Sequence, residues 1–240
     1  MVMAEATNHY FKHLGVSDGL SQVCIPSIYQ DELGAVWLGT TEGLNRYNGK
    51  DVRVFQPSES NHGLTNNEIN ELCGDKNGRM YIRSGNDLIK LDIYTEQFTC
   101  LRQKGVYGLF CKKDTLWVSC ADGIYYYTGQ GTELTFFARV QKGFVGRALY
   151  VDRETVWVVT RKYLVAISRE DPLRQEILLT LDKGNCILGD SSGNIWVGAW
   201  NGLYRVSPDR ETTAYVSHSG MGELSDNQVR CVLEDDFKHI

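Results

Sequence analysis

The stretch Ile28–Tyr47, I-Y-Q-D-E-L-G-A-V-W-L-G-T-T-E-G-L-N-R-Y, returns later in the chain, and an internal repeat narrows a fold more than composition does. Its clearest copy is Cys186–Ser207, where Asp190, Gly193, Trp196, Gly198, Gly202, Leu203 and Arg205 fall on Asp31, Gly34, Trp37, Gly39, Gly43, Leu44 and Arg46 with the same internal spacing. Looser copies lead from Asp75 to Tyr81, from Asp114 to Trp117 and from Asp152 to Trp157. The aromatic anchors Trp37, Tyr81, Trp117, Trp157 and Trp196 stand 44, 36, 40 and 39 residues apart. In Ile28–Tyr47 two of the three runs alternate apolar and polar residues, the period of a half-buried strand, and both joints carry Gly with Asp or Glu, which suit tight turns.

Three strands folded back on each other make a meander. A fourth strand is expected at Val52–Phe55, with counterparts at Phe98–Leu101, Thr135–Ala138, Glu176–Leu179 and Ala214–Val216. A period near 40 residues with about four strands per unit is that of propeller blades, whereas a helical solenoid would need an apolar period of about 3.6. The chain therefore reads as all-β: a propeller of four-stranded antiparallel blades. Residues 1–22 form a lead-in with a closing outer strand at Tyr10–Leu14, and blades follow at 23–58, 66–103, 104–140, 143–180 and 183–217, with a sixth starting at 226–240. Five complete blades with partial ones at either end imply a fragment of a larger ring, probed as such by its unpaired edges.

Composition excludes several classes. The net charge of −5 argues against nucleic acid or direct contact with an anionic membrane, both of which call for a basic face. No apolar run is long enough to span a bilayer, and Met1–Tyr10 lacks the layout of a signal peptide. The seven cysteines form no C-x-x-C and no zinc spacing. Cys24, Cys73, Cys186 and Cys231 fall in the innermost-strand repeats and read as small buried thiols, while Cys100 and Cys111 keep a disulfide open. No cofactor or metal is expected: the Asp-x-x-Gly turns at Asp31, Asp75 and Asp190 lack the further ligands of a calcium loop.

The run F11-K-H-L-G-V-S-D-G-L-S21, followed by the Ile28–Tyr47 block, resembles the opening of the two-component regulator propeller, the sensor module of hybrid histidine kinases in gut bacteria that degrade polysaccharides. The likeness is strong in blades one and five and poor in blade four, where Val156-Trp157-Val158 lacks both the Asp-x-x-Gly turn and the following Gly. It implies a periplasmic location, seven-bladed rings often in tandem, β-sandwich, membrane and kinase segments downstream, a homodimeric receptor, and detection of glycan fragments. Signatures of WD40 and kelch propellers are missing.

Residues required once per blade are packing, and the repeated Trp is read that way. Ligand contact is better sought where blades differ. The turns between second and third strands open on the same face as the links between blades, and they hold Glu42, Asn86, Asp122, Arg161 with Lys162, and Trp200 with Asn201. Trp200 stands where other blades have Thr, Gly, Ala or Arg; an exposed Trp beside Asn and charged groups suits a sugar face and its hydroxyls. The competing reading is that Trp200 packs on an adjacent loop or partner domain. Overall the expectation is a non-enzymatic sensor segment recognising an oligosaccharide or relaying its binding. Its rivals are a pure interaction scaffold and a propeller hydrolase or lyase using Glu42 and Asp122 as paired carboxylates.

Overall fold

The computed structural model describes residues 13–57, 63–217 and 224–240. Among the described residues twenty strands form five four-stranded sheets, each a meander in chain order. Blade one comprises β1 (Ser27–Gln30), β2 (Val36–Thr40), β3 (Gly43–Tyr47) and β4 (Val52–Phe55). Blade two holds β5 (Ile69–Gly74), β6 (Arg79–Ser84), β7 (Asp87–Asp92) and β8 (Gln97–Arg102), and blade three β9 (Val106–Lys112), β10 (Thr115–Cys120), β11 (Gly123–Tyr127) and β12 (Thr135–Ala138). Blade four is β13 (Gly146–Val151), β14 (Thr155–Thr160), β15 (Tyr163–Ser168) and β16 (Gln175–Thr180); blade five is β17 (Cys186–Gly189), β18 (Ile195–Ala199), β19 (Gly202–Val206) and β20 (Thr212–Tyr215). The all-β propeller expected from the repeat is what forms. Among the described residues no helix is long and apolar enough to cross a membrane.

In blades one, two, four and five the turn from first to second strand is built by the Asp of the repeat. Asp31 Oδ1 accepts the backbone N–H groups of Leu33 and Ala35, while Gly34 takes φ +86°. Its other oxygen, Oδ2, accepts the indole N–H of Trp37 at 2.7 Å. Trp196 makes the same bond to Asp190 at 2.8 Å, and Trp157 to Asp152 at 2.6 Å. Blade four was expected to lack this turn. Asp152 instead closes one that is a residue shorter, capping Glu154 and Thr155, so no Gly is needed. In blade two the anchor is Tyr81, which has no indole N–H, and Asp75 Oδ2 accepts the Arg79 guanidinium.

Neighbouring sheets bury their facing sides against each other, so the core is a series of seams. Trp37, Leu44 and Phe55 of blade one pack with Ile69, Leu72 and Met80 of blade two. Tyr81 and Leu88 meet Val106, Leu109 and Val118; Trp117 and Ile124 meet Leu149, Val156 and Val158; Trp157 and Leu164 meet Ile195 and Val197. Ile28 occupies the place in β1 that Leu72, Leu109 and Leu149 occupy in β5, β9 and β13, opposite Leu38, Ile82, Val118 and Val158 respectively. Leu72 is 7% exposed and Ile28 64%, because that position faces the preceding blade and no described residue covers it in blade one.

Two expectations need correction. Residues 226–240 form no strand: Val229 donates its N–H to the Ala199 carbonyl, but without a partner strand no ladder follows. The turn at Asp235 forms all the same, with Lys238 in the left-handed conformation that Gly34 has in blade one. Cys24 precedes β1 and is exposed, as is Cys231; Ser27, paired with Gly39, holds the place that Cys186, paired with Gly198, has in blade five. All seven thiols are free, and the contact made is between Cys73 and Cys111 rather than Cys100 and Cys111. Hydrogen bonding to Cys111, reinforced by burial, pushes the Cys73 thiol well above the usual range. Residues 10–12 of the closing strand expected at Tyr10–Leu14, and 58–62 of the polar loop Pro57–Asn67, lie outside the described residues.

Candidate functional site

The face that carries the second turns is organised by the links between blades. In the link from blade four to blade five, Leu181 donates its N–H to the Lys162 carbonyl at 2.7 Å and Gly184 to the Arg161 carbonyl at 3.2 Å. The Asp182 carbonyl accepts the Trp200 backbone N–H at 2.8 Å, and the Asp182 N–H donates to Asn201 Oδ1 at 3.0 Å. One four-residue segment thus clamps two turns, and Arg161, Lys162, Trp200 and Asn201 lie along it. The clamped parts of Arg161, Lys162 and Trp200 are their backbones, and their side chains stay exposed. Trp200 is 39% exposed, and the Lys183 ammonium lies 3.4 Å from its ring centroid. Packing on a link and outward exposure, set against each other in the sequence, both hold for this residue.

The other candidates fall elsewhere on the same face. Asn86 uses its carbonyl to accept the Val106 N–H, and Ala121 donates its N–H to Gly105, so the link Lys104–Val106 joins blades two and three as Leu181–Gly184 joins four and five. Asp122 is consumed locally: Oδ1 takes the Arg102 guanidinium at 2.7 Å and Oδ2 the Tyr125 hydroxyl at 2.9 Å. Partial burial opposes its ionisation, yet those bonds hold its carboxyl below the usual range. A general acid needs the opposite shift. Glu42, in blade one, caps nothing with its carboxylate; its carbonyl accepts from Gln56 and its N–H is held by Thr40 Oγ1. The structure therefore gathers four of the seven candidates around one link and leaves Glu42, Asn86 and Asp122 apart.

Sequence reasoning missed several neighbours. Lys183 gives no motif, since its role comes from where the link places it. Tyr107 and Arg147 were missed although each interrupts the apolar alternation of an innermost strand, a signal that spacing alone could have raised. Arg161 and Lys162 border a groove of about 410 Å³ shared with Tyr107, Phe144 and Arg147. On the opposite face a wider cleft of about 850 Å³ lies among Arg153, Arg169, Arg174 and Arg210, with Glu154, Glu170 and Glu176 interspersed. There Arg210 pairs with Glu176, and Arg169 donates to the backbone carbonyls of Asp152 and Arg153. Among the described residues no group of His, Cys, Asp and Glu is arranged to hold a metal.

Comparison with known proteins follows the same lines. Residues 19–42 match the family model described as two component regulator propeller. Those residues run from the buried Leu20 of the lead-in, through Ser21 bonded to Thr40 and Asn45, to the turn at Glu42. Histidine kinase P4 of Formosa agariphila is 38% identical over 53 residues, which is 22% of this chain and 4% of that protein. The extracellular domain of a one component system from B. thetaiotaomicron superposes with a TM-score of 0.63 at 16% identity, over 90% of this chain and 36% of the other. That of a hybrid two component system from the same organism gives 0.58 at 18% identity, over 95% and 39%. The chain thus spans well under half the length of each, and the solved structures at such identity speak for the fold.

Proposed function

We propose that this chain, which matches the two component regulator propeller model over residues 19–42, is the periplasm-facing sensing part of a hybrid two-component histidine kinase and that it contacts an oligosaccharide. The observation that carries the ligand reading is the clamp at Leu181–Gly184, which fixes the backbones of Arg161, Lys162 and Trp200 and the side-chain oxygen of Asn201 while leaving an aromatic face and two cations turned outward. A sugar offers an apolar face to an indole and hydroxyls to Asn, Arg and Lys. Rigid backbones lower the ordering cost of such binding. Signalling then requires that ligand favour one of two arrangements of the dimeric receptor, in which further propeller and β-sandwich domains relay the choice to a kinase that regulates polysaccharide-utilisation genes.

Calorimetry with a panel of plant and host oligosaccharides tests this directly. Trp200→Ala is expected to weaken binding about tenfold or more, roughly 1.4 kcal/mol, with melting unchanged. Unchanged affinity would hand the role to a scaffold reading, and shortened glycan products after incubation would favour an enzyme.

A further inference from the structure

The three middle blades share an irregularity at one place. In β5, β9 and β13 the ladder to the second strand skips a residue, from Ile69 to Glu71, from Val106 to Gly108 and from Gly146 to Ala148. The skipped residues, Asn70, Tyr107 and Arg147, are β-bulges at the same repeat position on the innermost strands. A bulge takes a side chain out of the alternation and aims it afresh, and such bulges gather beside binding sites. Packing does not dictate the three identities, which differ. Tyr107 is 37% exposed and Arg147 is exposed, where the flanking Val106 and Gly146 are buried.

The bulges of blades three and four open into one groove of about 410 Å³. Phe144, from the link between these blades, lines it, its ring 4.9 Å from that of Tyr163. The turn holding Arg161 and Lys162 forms its rim, secured by Thr160 Oγ1, which accepts the N–H groups of Lys162 and Tyr163. Two aromatic rings line the groove beside Arg147, Arg161 and Lys162. No carboxylate lines it, and among the described residues none of these three cations has an ion-pair partner. In a chain of net charge −5 this is a local reversal of sign.

We propose that the groove formed by the bulged Tyr107 and Arg147 with Phe144, Arg161 and Lys162 binds an anionic saccharide, its ring against the aromatic side chains and its carboxylate or sulfate on the cations. Guanidinium groups meet either anion through paired charge-assisted hydrogen bonds. This rests on the oligosaccharide reading above and narrows it to acidic sugars.

The test is calorimetry of the full chain with three oligosaccharides of equal length: one neutral, one of uronate units, one sulfated. At least one anionic arm is expected to bind about tenfold more tightly than the neutral one, the preference shrinking with added salt; which arm wins identifies carboxylate or sulfate. Arg147→Gln and Lys162→Gln, checked for unchanged melting, are each expected to cut that preference, and Tyr107→Ala to weaken binding of the preferred arm. Equal or tighter binding of the neutral arm, or a preference untouched by both charge variants, overturns the acidic-sugar inference and leaves the oligosaccharide reading standing. Binding of none of the three overturns both.

Discussion

Trp37 donates its indole N–H to Asp31 Oδ2 at 2.7 Å, and the same carboxylate holds the turn that precedes the strand carrying Trp37. One residue therefore ties the shape of a turn to the orientation of the ring that fills the seam with blade two. Trp37 is fully buried, so its N–H has no water to fall back on.

Removing that carboxylate leaves three donors unmet at once. Asp31→Ala is expected to destabilise by about 2–4 kcal/mol, and Trp37→Phe, which deletes a donor but keeps most of the ring, by less. Urea denaturation of both variants would measure the order; a cost below roughly 1 kcal/mol for Asp31→Ala would show the bond to be incidental.

The seams predict unequal effects at one repeat position. Leu72→Ala, inside the seam of blades one and two, should cost about 2–4 kcal/mol, while Ile28→Ala should stay within about 0.5 kcal/mol. Comparable losses at both sites would mean that something covers Ile28 in solution.

Gly39 is held by its neighbour. A Cβ there would stand 2.7 Å from Ile69 Cγ2 and 3.0 Å from the Ile69 carbonyl, so blade two approaches only because blade one offers bare backbone. Gly198 repeats the relation with Val229, at 2.7 Å. Gly39→Ala should cost about 1–3 kcal/mol, with partial recovery when Ile69→Ala is added, read by double-mutant thermal unfolding. Full additivity would place the clash elsewhere.

Glu71, on the innermost strand of blade two, should give stability a pH dependence. Burial raises its carboxyl to about 7 against an ordinary value of 4.5, with Arg83 and the Leu109 N–H only partly offsetting it. The folded state thus keeps the proton longer than the unfolded chain. Its contribution is whole below about pH 4.5 and is lost as pH rises toward 7. Chemical denaturation across that window should show a decline that Glu71→Gln flattens; parallel curves would mean that Glu71 titrates normally.

Much of the blade plan was legible in the chain itself. Trp37 and Trp196 do occupy the same blade position, each bonded to the Asp six residues before it, although Trp37 is buried in a seam and Trp196 only half-buried, and the fourth strands Val52–Phe55 and Thr135–Ala138 fall where alternation placed them. Blade four was harder because its turn uses Asp152 without Gly, and the motif was sought through its Gly. The Asp–Trp bond went unseen because backbone capping already explained the Asp. Residues 226–240 carry strand alternation yet form no strand, since a ladder needs a partner that alternation cannot supply.

By itself the sequence determined strands, turns and their repetition, because period-two alternation and Asp–Gly turn chemistry act over a few neighbouring residues. Only the tertiary structure decided which side chains share a site: that the link at Leu181–Gly184 draws Arg161 and Trp200 to one place, that Asp122 is spent on Arg102, and that two bulges turn Tyr107 and Arg147 into one groove. Those relations depend on how each blade is set against the next through side chains about forty residues apart, a distance over which a repeat period carries no directional information.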